Sequence, residues 1–151
     1  MKKITRTLVI ASVLALVLAG CGRVVELVLD ARWTIEEIKA GDVILTDVDD
    51  YLVVTFDADT ETATMEVGPD WDTLSSVNVT GTFDYTISAT DNVIVLSHDG
   101  VDEHVITYEL EDGLERMVWT RWVAVGTDPE IEIVSDSATI DYIAFERQAS
   151  S

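Results

Sequence analysis

Residues 81–88 read GTFDYTIS, an alternation that a helix cannot use. Phe83, Tyr85 and Ile87 fall on one side, and Thr82, Asp84, Thr86 and Ser88 on the other. A period of two places the apolar set on one face of a β-strand and the polar set in water. The same pattern recurs in YLVVTFD, where Leu52, Val54 and Phe56 share a face, and in EHVITYEL, where Ile106, Tyr108 and Leu110 do. Runs rich in Val, Ile, Thr and aromatics, broken by Asp and Gly, carry the strand and hairpin signature. Strands are expected at 33–39, 51–57, 61–67, 81–88, 92–98, 104–111, 114–124 and 139–147, with weaker additions at 43–46 and 131–134.

The connections restrict the topology further. Asp99-Gly100 and Asp112-Gly113 accept positive φ, and 58–60 and 89–91 are equally short. Tight turns join antiparallel neighbours, so the strands follow one another as a meander. The longer break from Gly68 to Asn78 contains Pro69 and Trp71 and is expected to cap an end. A sheet wet on one face and apolar on the other must cover its apolar side, and open edges invite aggregation. Closure into a small barrel answers both needs and leaves room for side chains or one small ligand. A two-sheet sandwich uses the same alternation. The two differ in one pairing: a barrel joins the first strand to a late one. After residue 22 no helical periodicity of useful length is present. The segment 23–30, RVVELVLD, reads as a helical turn closing one end or as a tether.

The chain opens with a different text. Met1-Lys2-Lys3-Ile4-Thr5-Arg6 is basic, and 8–18 is apolar but shorter than the roughly 20 residues that span a bilayer. Small residues then precede Cys21, the only cysteine. This is the pattern of a secretory leader. The quartet Leu18-Ala19-Gly20-Cys21 resembles the lipobox of bacterial lipoproteins. The resemblance implies cleavage before Cys21 and attachment of fatty acyl chains such as palmitate to it. Several chains give stable attachment where one gives a reversible one. Gly22, in place of an aspartate after the cysteine, implies the outer membrane by the same resemblance. A lipidated Cys21 leaves no thiol for disulfides or metal binding.

Charge excludes some partners. The whole chain carries −20, and once Lys2, Lys3 and Arg6 leave, six basic residues face 29 acidic ones, a net −23. Such a surface repels nucleic acid and anionic membranes, because phosphate binding needs Lys and Arg. The acidity fits a hydrated surface suited to high salt, or selection of a basic protein partner or cations.

The segments ARWTIEEI, YLVVTFDADTETATMEV, VTGTFDYTISATDNVIVLS, VITYELEDGLERMVW and IDYIAFER together resemble the lipocalin-like (calycin) family. They place a tryptophan, Trp33, in the first strand and an aromatic strand near the end. The family's Gly-x-Trp has Ala31 in the glycine place. The resemblance implies a lipocalin-like barrel and an arginine lying across Trp33, for which Arg121 and Arg147 are the candidates. It also implies non-catalytic binding of a small apolar or amphipathic ligand. From the alternation, the candidate lining residues are Phe56, Phe83, Tyr85, Tyr108 and Trp119, with Trp71 at the rim. Trp119 and Trp122 are three places apart, so in a regular strand they face opposite sides. The alternative function is a structural or interaction module of the envelope with its barrel filled by side chains.

Chemistry-bearing motifs are scarce. No Gly-x-Ser-x-Gly elbow, phosphate-binding glycine loop or HExxH is present, so no catalytic residue and no cofactor is expected. Asp57-Ala58-Asp59-Thr60-Glu61 alternates carboxylates, but an EF-hand needs Gly at the sixth place and Glu at the twelfth, where Thr62 and Gly68 stand. His98 and His104 flank a turn, and an exposed turn with unfixed spacing makes a poor metal site. The expected organisation is a leader over 1–20, a lipidated amino terminus and tether over 21–31, a barrel over 32–147 and a tail over 148–151.

Overall fold

The computed structural model describes residues 22–49, 51–75, 78–88, 90–125, 131–132 and 140–148. The leader, Cys21, the start of the last expected strand at Thr139 and most of the tail lie outside the described residues. After α1 (Gly22–Leu29) come β1 (Arg32–Ala40), β2 (Val43–Leu45), β3 (Leu52–Asp57) and β4 (Thr62–Val67). A single-turn helix α2 (Trp71–Leu74) precedes β5 (Gly81–Ser88), β6 (Val93–His98), β7 (Val101–Glu111) and β8 (Arg116–Ala124). Two further strands follow, β9 (Ile131–Glu132) and β10 (Tyr142–Arg147). Every expected strand is represented among the described residues, which leave out 133–134 of the weaker addition, and β5 has the expected bounds.

Eight strands close into an antiparallel barrel in the order β1–β3–β4–β5–β6–β7–β8–β10, with β10 returning to β1. Trp33 pairs with Arg147 and Ile38 with Ile143, the first-to-late pairing that separates a barrel from a sandwich. β2 and β9 lie off the ring and, among the described residues, pair only with β1 and β8 respectively. Turn chemistry sets the register. His98 opposes Val101 across Asp99-Gly100, whose φ of 51° and 79° give the doubly positive turn that matches strand twist. β7 thus begins three residues before the expected His104. Between β3 and β4, the Asp57 carboxylate accepts the Asp59 and Thr60 amides at 2.9 and 3.3 Å. The carboxylate run is therefore an Asx-type turn.

Both ends of the barrel are stoppered. At one end lie the start of β1 and the end of β10, with α1 across them. Val25 and Leu29, one helical turn apart, enter the core, and the Trp33 indole N–H donates to the Leu29 carbonyl at 3.0 Å. The Arg147 guanidinium stands 5.9 Å from the Trp33 ring centroid and donates to the Val28 carbonyl at 3.1 Å. Arg147, and not Arg121, therefore lies across the tryptophan, and α1 is the closing turn rather than a free tether. At the opposite end α2 brings Trp71 inward, and the loop after β2 inserts Val48. On the outer wall Arg116 of β8 donates to Glu36 of β1 at 3.1 Å and to Glu111 of β7. It thus ties strands across β10, beside the Tyr142 hydroxyl donating to Glu37.

Candidate functional site

The inward face of the barrel is the site to which the alternation points. Phe56, Phe83, Tyr85, Tyr108 and Trp119 all project into one core cluster, and Trp71 joins them from α2. Trp71 is enclosed where α2 crosses that end of the barrel, and it plugs the mouth there. Phe56 meets Tyr85 edge-on at 5.5 Å. A second series runs from Phe83 to His104 at 5.2 Å, on to Trp122 at 6.0 Å, then to Trp119 at 5.0 Å and Phe145 at 4.5 Å. Trp71 packs on Trp122 at 5.9 Å. Separations of 4.5–7 Å with tilted or edge-on planes are the favoured aromatic geometries.

One expectation fails here, for a definite reason. Trp119 and Trp122 both point inward, with 2% and 1% of their surface exposed. The β7–β8 register slips between the pairs Thr107–Arg121 and Tyr108–Trp119, so Thr120 is an extra residue. A bulge of this kind resets the alternation. Thr120 and Arg121 face out together, and the two indoles sit on one side. β1 repeats the device: its register slips between Ile35 and Glu37, and Trp33, Ile35 and Ile38 all turn inward.

His104 is an interior residue that the turn-based view of the sequence misses. Its Nδ1 accepts the Trp122 indole N–H at 3.4 Å. That acceptor role requires a neutral ring with its proton on Nε2. Burial lowers its pKa from 6.5 to about 4. The signal was present in the period-two set, since His104 stands two places before Ile106 and four before Tyr108. His98 is on the outer side, 3.5 Å from Asp99, so the two histidines are not brought together. Among the described residues no group of three or more His, Cys, Asp or Glu side chains is gathered as a metal site. Burial also raises the Tyr108 hydroxyl to about 12, so it stays protonated.

Large side chains crowd this interior among the described residues. Trp33, Phe56, Trp71, Trp119, Trp122 and Phe145 each keep no more than 2% of their area open to solvent. A cavity sized for a ligand, roughly 300–1,000 Å³, would leave its lining residues open to a water-sized sphere. A cleft of about 30 Å³ opens beside the β8 bulge, between Trp119–Trp122 and the residues Ile140, Tyr142 and Ile143. That volume holds a water or two, not a lipid. The Trp119 indole N–H is enclosed and meets no acceptor among the described residues.

Fold and interior define a class: a closed, eight-stranded antiparallel β-barrel with an aromatic core and a helix across one end. No protein-family model, curated protein or solved structure matches the chain. The barrel geometry is compatible with a lipocalin-like fold.

Proposed function

We propose that this chain is a lipocalin-like lipoprotein of the cell envelope, moored by acyl chains on Cys21, with the outer membrane as its location. In this reading it is a non-catalytic interaction module whose barrel is filled by its own side chains. The observation that carries it is the enclosure of the large aromatics, which leaves recognition to the outer surface. The anchor reading is supported by the lipobox-like quartet, together with the start of α1 at Gly22, one residue after Cys21. A helix that stoppers the barrel so close to the acyl chains holds the domain against the bilayer. The end bearing β2, α2 and the Asp99-Gly100 turn then faces away.

A second reading, binding of a small apolar or amphipathic molecule among Phe56, Trp71, Phe83, Tyr85, Tyr108 and Trp119, is favoured by the Trp119 N–H. That buried donor lacks an acceptor which a ligand oxygen would supply. Titration of the full chain with palmitate and with short-chain phospholipid, followed by tryptophan fluorescence, separates the two. A flat response is expected. A saturable one-to-one change would replace the filled-barrel reading with the ligand-binding one. The mooring is tested separately: growth with labelled palmitate is expected to label the parent chain and to leave Cys21→Ser unlabelled. An unlabelled parent chain would refute the acyl anchor.

A further inference from the structure

β2 is the place where the chain departs most from the rule that apolar strands are covered. Val43, Ile44 and Leu45 are three consecutive large apolar residues with 56%, 54% and 37% of their surface exposed. In a barrel wall one in two would point inward. None does, because β2 lies outside the ring and is attached along one side only, Ile38 to Leu45 and Ala40 to Val43. Its other edge has no strand partner among the described residues. The hairpin is nonetheless well made. Gly41 takes the positive φ of 61° that its two-residue loop with Asp42 requires, and the Gly41 amide donates to the Asp141 carboxylate at 3.0 Å. Val48, buried three residues past the end of β2, pins the following loop.

An ordered, apolar, one-sided strand is a template for adding another. Its surroundings select what is added. Asp42 lies in the turn before it, and Asp47 and Asp49 follow, all exposed. A second copy of this chain would bring the same carboxylates edge to edge, on a body already at −20. Like charges facing one another across a strand pair are destabilising. An extended segment alternating apolar and basic residues would instead cover the exposed side chains and neutralise the flanking aspartates. β2 pairs near the end of β1 remote from α1, six to eight residues along a strand that rises about 3.3 Å per residue. If α1 sits at the bilayer, as the interaction-module reading holds, the edge stands about 20 Å away from it.

We propose that the free edge of β2 is a docking site for an extended, lysine- or arginine-bearing segment of a partner protein, which adds to it as a further strand. The inference rests on the interaction-module reading for its orientation alone. The probe is a blocked heptapeptide alternating lysine and valine, presented to the full-length chain from whichever fraction carries it. One-to-one binding is expected, with hydrogen-exchange protection gained at residues 43–45. Methylating the peptide's backbone amides on its pairing edge should weaken binding by about tenfold, the loss of one to three net hydrogen bonds. Ile44→Pro, which removes a strand N–H, should weaken it similarly. Ile44→Lys, which keeps the strand and repels the peptide, should do so too. Circular dichroism should show an unchanged barrel in both variants. Equal binding of the methylated peptide would reduce the effect to bulk charge attraction and overturn the proposal. So would protection elsewhere on the barrel, or self-association abolished by Ile44→Pro. A soluble chain that still binds the peptide would refute the anchor and leave the docking edge standing.

Discussion

Trp33→Ala is expected to lower stability by about 3–5 kcal/mol, the range for emptying a buried tryptophan site. Three connections are lost together. The side chain has no exposed surface, its indole N–H holds the Leu29 carbonyl, and its ring lies beneath Arg147. Removing it opens a void at the end that α1 closes and frees the helix from β1. In a barrel of this length the loss corresponds to a fall in Tm of roughly 10–20 °C. Trp33→Phe should lose less, about 1–2 kcal/mol, because it keeps much of the packing and gives up the hydrogen bond. Pairing each variant with Arg147→Ala measures the stacking term, expected at roughly 0.5–2 kcal/mol. Denaturant melts supply all of these values. A loss under about 1.5 kcal/mol for Trp33→Ala would mean that the stopper contributes little to the barrel.

Acid should weaken the fold through His104. The folded ring has its pKa at about 4, against 6.5 for the unfolded side chain. Above pH 6.5 both states are neutral there and the group contributes no pH dependence. As pH falls from 6.5 towards 4 the unfolded chain takes up a proton that the folded chain refuses, so stability declines. The full difference is of order 3 kcal/mol. Protonating Nδ1 would also point a second donor at the Trp122 N–H, which now has an acceptor there. The abundant carboxylates act the other way, since their protonation relieves mutual repulsion. The measurement is therefore a comparison. Unfolding free energies of the parent and of His104→Phe are taken from pH 7 to 4.5. The gap between them should change by about 2 kcal/mol in favour of the variant as the pH drops. Parallel curves would show that His104 is not a buried neutral base.

The sequence made the strands legible because each is short, half-wet and bounded by turn residues, so local pattern and final structure agree. GTFDYTIS is the clearest case. The closing pair, β1 with β10, could be posed as a question but not read, since nothing local to Trp33 names Arg147 as its neighbour. Bulges such as those in β1 and β8 defeated the period-two rule. Thr120 carries no mark that sets it apart from other threonines, yet its insertion turns Trp122 to the same side as Trp119. α1 escaped periodicity because eight residues are too few to display it, although RVVELVLD already suggested a turn of helix. His104 was readable from its spacing to Ile106 and Tyr108, but its chemistry drew attention to His98 instead. The burial of Trp71 depends on which loop folds over the open mouth, a tertiary choice with no signature in one segment.

The order in which the ring is joined has a consequence for biogenesis. β10, the last of the described strands, fills the gap between β1 and β8. Until it arrives, both neighbours keep bare edges. A polypeptide emerging amino end first can thus build seven staves of the cask and still be unable to hoop it. The nascent domain would remain a pliable, unhooped ribbon until β10 is available, and only then harden.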